Sequence, residues 1–114
     1  KLADYHVDGI ILSSVNKGEE YKKFIESLNI PVVTIDNKIA DKIPFVTVNG
    51  RSAISKAVCE IAESGYEKVI FVCPPLAEKN LENIYVHEER TAGFKEAVKK
   101  IHGLEYVIIG NWDY

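Results

Sequence analysis

The chain has 114 residues, the size of one domain, and can bury roughly two thirds of the surface that its unfolded form exposes. Apolar residues make up 46% and charged residues 27%, and a net charge of −3 is spread along the chain without blocks, which excludes a disordered chain and the clustered basic footprint of a nucleic-acid binder. Apolar runs reach only about four residues, too short to span a bilayer, and Cys59 and Cys73 are too few for a disulfide scaffold and sit in no CxxC or zinc spacing, so a reducing cytoplasm is the expected compartment.

There is no methionine, and the opening Lys1-Leu2-Ala3-Asp4-Tyr5 reads as the end of a helix already under way in a longer protein. The first apolar run, Val7 to Leu12, predicts a strand. Tyr21, Phe24, Ile25 and Leu28 then fall at i, i+3, i+4 and i+7, one stripe of a helix. Strands follow at Pro31 to Ile35 and at Phe45 to Val48; a proline is tolerated at the first position of a strand because that residue can forgo its N–H. Ile54, Ala57, Val58 and Ile61 make a second helical stripe, with Asn49 as its N-cap candidate and Ser52 competing for the role. Lys68 to Cys73 predicts the fourth strand, Phe94, Ala97, Val98 and Ile101 a third helix, and Glu105 to Ile109 the fifth strand. Gly65 and Gly103 stand where the second and third helices need a left-handed terminating residue.

The strand runs are nearly continuous rather than alternating, as expected for a parallel sheet covered on both faces. The order strand, helix, strand, strand, helix, strand, helix, strand describes an α/β domain with right-handed crossovers, and the pattern by itself suggests a single five-stranded sheet. Two joints break the rhythm. Asp36 to Pro44 links two strands without a helical stripe, so it is expected to run as a loop over the sheet end, where ligand sites form. Pro74 to His87 is long for a strand-to-helix loop.

Several segments together resemble the effector-binding domain of the LacI family of bacterial transcription regulators. Val7-Asp8-Gly9-Ile10-Ile11-Leu12 is similar to that family's VDGIIL strand, and Ile30-Pro31-Val32-Val33-Thr34-Ile35-Asp36 to its next strand. Val46-Thr47-Val48-Asn49 leads into a helix ending Glu63-Ser64-Gly65-Tyr66, followed by the strand Lys68-Val69-Ile70-Phe71-Val72. Arg90-Thr91-Ala92-Gly93-Phe94 matches an R-x-x-G-aromatic helix start, and Gly110-Asn111-Trp112-Asp113-Tyr114 a G-D-aromatic segment. The matches run from one end of the chain to the other in family order.

The resemblance implies Rossmann-like parallel-sheet lobes of an incomplete periplasmic-binding-protein-like fold. Residues 1–49 would belong to the N-terminal lobe, 50–66 would form a crossover helix, and 67–114 would begin the C-terminal lobe. It also implies a small-molecule effector, a sugar or sugar phosphate, held between the lobes. Ligand closure would alter how a dimer presents DNA-binding heads that lie outside this chain. With strands missing, unpaired edges and apolar faces would lead the isolated chain to associate with itself or swap elements.

Four residues are the candidates for ligand contact. Asp36, just past the second strand, can accept hydrogen bonds from sugar hydroxyls, although with Asn37 it also suits an Asx turn. Arg90 offers a rigid fork of donors to vicinal hydroxyls or a carboxylate; a salt bridge with Glu88 or Glu89 is the alternative. Its place near a helix start gains nothing from the helix dipole, which favours the ligand role. Trp112, the one tryptophan, can stack on a sugar ring or cap the core. Ser13, with Ser14, ends the first strand at the same rim, or simply caps the loop before Asn16 and Lys17. Asn49 and Gly50 depart from an Asp and an Asn frequent in the family.

Enzyme templates are missing: there is no G-x-S-x-G elbow, GxGxxG or P-loop, and His6, His87 and His102 share no metal-ligand spacing. His87-Glu88-Glu89 reads as a solvated stretch before a helix, and Cys59 as packed beside a helical stripe. No cofactor and no membrane contact is expected. The competing readings are a sugar-binding protein of a transporter with the same two-lobed fold, and a small α/β enzyme or receiver-type domain using Asp8 or Asp36.

Overall fold

The computed structural model describes residues 2–13, 18–76 and 84–110. They form two compact units, Lys1–Val48 with Ala77–Tyr85, and Asn49–Leu76 with Val86–Tyr114. The five strands divide accordingly into sheets of three and two rather than one sheet of five.

The first unit opens with a short 3-10 turn, Leu2–Tyr5. Its sheet has the order β1 (Ile10–Leu12), β2 (Val32–Ile35), β3 (Phe45–Val46), all parallel. The first strand is shorter than its apolar run because Ile10 pairs with Val32 and donates to the Pro31 carbonyl (2.9 Å), where the partner begins. Helix α1 (Glu19–Ser27) turns Ile25 into the core with Tyr21 and Leu28 beside it. Phe24, the fourth member of the stripe, stays half exposed with its ring stacked 6.4 Å from Tyr21.

Residues 36–44 contain no helix, as expected, yet they do more than skirt the sheet end. Ile39, Ala40 and Ile43 are buried in the same cluster as Ile25 and Val32. A parallel β2–β3 connection normally needs a crossover helix to cover the sheet. Here three apolar loop side chains do that covering, and the Ile43 N–H bonds back to the Ala40 carbonyl (3.2 Å) to close the turn.

The second unit contains α2 (Gly50–Glu63), β4 (Lys68–Val72), α3 (Tyr85–Lys100, here from Val86) and β5 (Glu105–Ile109). Strands β4 and β5 pair in parallel from Lys68 with Glu105 to Val72 with Ile109. Val58, Phe94, Ala97 and Val98 form the core, with Val69, Phe71 and Ile108 packed on it from the sheet. The Phe94 ring, 1% exposed, stacks at 4.7 Å on Phe71 and meets Tyr106 edge-on at 5.9 Å. Asn49 caps α2 by accepting the Ser52 N–H (3.0 Å), and Gly65 and Gly103 take the left-handed φ values of 86° and 80° that end the helices.

Three expectations need correction. The strands are apolar on both faces but are covered here on one: Ile11 is 76% exposed, and Val46 and Ile70 are each 62% exposed. Helix α3 begins at Tyr85, so His87-Glu88-Glu89 lies inside it and Arg90 is no longer in its first turn. Cys59 is exposed on α2; the buried thiol is Cys73, whose Sγ lies 3.8 Å from the Ile109 carbonyl.

Helices α2 and α3 meet at Gly93, where a Cβ would lie 2.3 Å from the Arg51 carbonyl oxygen. In an open helix Gly→Ala stabilises by up to about 1 kcal/mol. At position 93 the added methyl meets backbone, and overpacking costs about 1–3 kcal/mol. Gly93→Ala is therefore expected to lower the urea midpoint. Gly50→Ala, whose Cβ would meet only the flexible Arg90 Cγ at 3.0 Å, is expected to leave it almost unchanged.

Candidate functional site

In the first unit, β1 and β2 are parallel with Leu12 opposite Thr34, so the residues that follow them leave the same carboxyl edge. Ser13 is there, exposed, and Asp36 follows Ile35 on the neighbouring strand. The sequence had placed both at this rim.

Asp36 adopts φ 57°, left-handed for a residue with a Cβ. That conformation costs an ordinary L-residue roughly 1–2 kcal/mol, so the surroundings must hold it. They do so at several points. The Asp36 N–H donates to the Val46 carbonyl (2.9 Å), and the Thr47 hydroxyl donates to Asp36 Oδ1 (3.0 Å). Next along the chain, the Asn37 side chain is 1% exposed, and its Oδ1 accepts the Tyr85 N–H (3.1 Å). The Asn37 carbonyl accepts the hydroxyl of Thr34, itself fully buried. Tyr85 also sets its ring edge-on against Phe45, 5.2 Å away. Among the described residues the other Asp36 oxygen, Oδ2, takes no hydrogen bond. A half-buried carboxylate with one oxygen fixed by Thr47 and one open is suited to accept a hydroxyl hydrogen bond.

In the second unit, Arg90 lies on α3 and is exposed, with its stem laid over Gly50. Because the field of a helix end fades within the first turn, the dipole of α3 bears little on Arg90. The alternative of a bridge to Glu88 or Glu89 is not made. Arg51 of α2 takes both oxygens of Glu89, Nε to Oε2 and Nη2 to Oε1, each 3.0 Å, and reaches Glu96 with Nη1. Among the described residues no hydrogen bond or ion pair holds the Arg90 guanidinium. Beside it on α3, the Thr91 hydroxyl is buried without a partner. Trp112 lies outside the described residues, which end at Gly110 past β5.

Asp36 is a candidate legible in the sequence, whereas the residues that hold it, Thr34, Asn37 and Thr47, are not. A hydroxyl inside an apolar run, as Thr34 is in Val32-Val33-Thr34-Ile35, was the available signal. Arg51 carried none, since its partners are distant in sequence. Among the described residues no group of His, Cys, Asp and Glu could hold a metal ion, and no helix is long and apolar enough to cross a membrane.

His87 is held below its ordinary pKa of 6.5, first by burial and then by the charge of Arg90. The folded chain thus binds the proton more weakly than the unfolded one. The contribution of His87 is complete above about pH 6.5 and is lost as the pH falls through the lower folded value. Denaturant titrations below pH 6.5 should show stability declining with acid, and His87→Gln should flatten that part of the curve.

No family model matches the chain. Over 99 residues, 87% of its length, it is 29% identical to the ribose operon repressor of Halalkalibacterium halodurans, covering 27% of that protein. Over 64 residues, 55% of its length, it is 31% identical to the HTH-type transcriptional regulator IpsA of Corynebacterium glutamicum, covering 18% of it. Among solved structures it is similar to a periplasmic binding protein/LacI transcriptional regulator from Alkaliphilus metalliredigens QYMF complexed with D-xylulofuranose. The TM-score is 0.76 at 25% identity, over 96% of this chain and 37% of that one. The chain spans about a quarter of the length of the first curated relative. In sequence and in fold alike, it is similar to the effector-binding domain of LacI-family transcriptional regulators, an α/β, periplasmic-binding-protein-like architecture of which it covers a part.

Proposed function

We propose that this chain is part of the effector-sensing domain of a LacI-like bacterial transcription regulator and takes part in binding a sugar or sugar phosphate. The observation that carries the reading is Asp36: a strained residue at a strand's carboxyl edge, anchored through one carboxylate oxygen and, among the described residues, open at the other. Backbone strain of this kind persists only where the surroundings over-determine it, and it concentrates at ligand sites. The similarity to a ribose operon repressor and to a regulator complexed with D-xylulofuranose supports a carbohydrate over other small molecules.

In this reading Asp36 accepts hydrogen bonds from ring hydroxyls and Ser13 adds a polar contact at the same edge. Arg90 donates its fork to vicinal hydroxyls or to a phosphate, and Trp112 stacks on the ring. Residues 1–49 belong to the N-terminal lobe and 67–114 begin the C-terminal lobe, with the helix of 50–66 crossing over. A ligand that prefers one arrangement of the lobes shifts their equilibrium by its difference in affinity. A homodimer would transmit that shift to DNA through a domain outside this chain, in the cytoplasm. The residues bind and release; none is assigned a chemical step, and no cofactor enters.

A panel of pentoses, hexoses and their phosphates tested by thermal shift on the full-length protein examines this directly. A ligand at a hundred times its Kd adds about 2.7 kcal/mol of stability. Asp36→Ala and Arg90→Ala should each weaken the responding sugar at least about tenfold, the loss of one charge-assisted hydrogen bond. A panel without any response, or variants that bind like the wild type, would overturn the reading.

The outward apolar side chains of both sheets carry a further expectation for the 114-residue chain by itself. It should self-associate at micromolar concentration. Sedimentation velocity showing a monomer throughout would contradict this.

A further inference from the structure

We propose that His87, Arg90 and Thr91, on one face of α3, form a phosphate site, which makes the effector a phosphate ester rather than a neutral sugar. The inference rests on the effector reading and deepens it, since that reading assigns a role to Arg90 but none to His87 or Thr91.

The inward stripe of α3 is apolar only in its later turns. Counting back from Ile101 through Val98, Ala97 and Phe94, the next positions of the same stripe are Thr91 and Arg90, and then His87. The sheet supplies a reason for the change. Phe94 stacks on Phe71, the last residue but one of β4. A helix that joins two parallel strands runs back against them, so the earlier turns of α3 lie toward the carboxyl edge of β4. His87 stands seven residues before Phe94, roughly 10 Å along the helix, whereas the one remaining strand residue, Val72, covers about 3 Å. The stripe thus leaves the sheet at the edge where α/β folds bind ligands.

The protein itself leaves these side chains poorly satisfied. Thr91 is 6% exposed, and among the described residues its hydroxyl has no hydrogen-bond partner. Among the described residues no hydrogen bond or ion pair holds the Arg90 guanidinium either. Its Nε lies 3.6 Å from where a Cβ of Gly50 would stand. Gly50 is the first residue of α2, and the start of a helix is an unfavourable place for a cation. Arg90 and Thr91 stand at i+3 and i+4 from His87 and so flank it one turn on. The charge of Arg90 reaches His87 and weakens its hold on a proton.

Donors and acceptors decide what completes this set. The guanidinium only donates, the Thr91 hydroxyl has a hydrogen to give, and an imidazole carries at least one N–H. A sugar hydroxyl brings a donor of its own and no charge. A phosphate monoester brings acceptor oxygens and roughly −1.5 to −2 charges at neutral pH. It can be met by Arg90 and Thr91 from either side of His87. It also offsets the crowding of positive charge at the start of α2 and satisfies the buried hydroxyl.

Calorimetric titrations of the full-length protein with pentoses, hexoses and their phosphate esters test this. The ester should bind at least about tenfold more tightly than its parent sugar, the worth of one hydrogen bond to a charged group. Thr91→Val, which removes the hydroxyl, and His87→Phe, which removes the ring N–H, should each weaken the ester by about that factor. Both should leave the parent sugar unchanged, and circular dichroism shows whether each keeps the fold. Inorganic phosphate is a second probe, followed by NMR of ring-labelled histidine against chloride at equal ionic strength. At millimolar concentration it should move the His87 ring signals in the wild type, but not in Thr91→Val or Arg90→Gln. A parent sugar that binds as tightly as its ester overturns the proposal and leaves the effector reading in place, as does an ester indifferent to a folded Thr91→Val or His87→Phe. Wild-type ring signals that inorganic phosphate does not move overturn the proposal whatever the sugars do. Ring signals that respond as expected, in a protein that binds no sugar and no ester, remove the effector reading and leave the phosphate site.

Discussion

The carbonyl oxygen of Arg51 occupies the space that any side chain at position 93 would need. Much of the second unit follows from that contact. The close approach sets consecutive residues of α2 against α3, which places Gly50 beneath the Arg90 stem and Arg51 opposite Glu89 and Glu96. It also seats Phe94, the next residue, in the core against Phe71 of β4 and Val58 of α2. One missing methyl thus couples the packing of the core to the pairing of the surface charges. The R-x-x-G-aromatic pattern has a physical meaning here: the glycine admits a neighbouring backbone, and the aromatic fills the core beside it.

The first unit solves a different problem, how to hold a side chain in a backbone conformation that it disfavours. Asp36 would relax from φ 57° if its turn were free. Two threonines and an asparagine prevent this: both threonine hydroxyls bond within the loop, and Asn37 Oδ1 accepts the Tyr85 N–H. Because Thr34 and Asn37 are buried, breaking a bond that either of them makes would leave an unsatisfied group, which costs about 1–3 kcal/mol. That penalty is comparable with the strain it offsets. The turn is held by the cost of unmaking it rather than by its own preference.

The parts of the fold legible in the sequence are those set by local pattern. β5 spans Glu105–Ile109 as predicted, and β4 starts at Lys68, because their apolar runs are long and pair in register along their whole length. Strand β3 stops at Val46 although the run continues, since Thr47 turns its hydroxyl to Asp36 instead of extending the ladder. The start of α3 was missed because Tyr85 to Arg90 carries no apolar stripe; those residues are held by capping and ion pairs with partners far away in sequence. The same limit applies to the site. Asp36 and Ser13 could be placed at a strand edge from the runs that precede them, while Thr47 and Arg51 act through contacts that no spacing rule reports.

The apolar residues on the uncovered faces of the strands bear on what the chain is part of. A strand whose one face is meant for water alternates, and β4 places Ile70 and Val72 where such a strand would carry polar groups. At its open end the same sheet carries a Lys68–Glu105 ion pair, so the charge is confined to the rim and the middle is left apolar. The first sheet repeats the arrangement with Ile11, Ile35 and Val46. Leaving such faces in water costs on the order of 25 cal/mol for each Å² of apolar surface, and covering them recovers it. Among the described residues the continuous runs are therefore covered on one face only, and two-sided burial of these strands would need cover from further protein, whether further chain or a second copy.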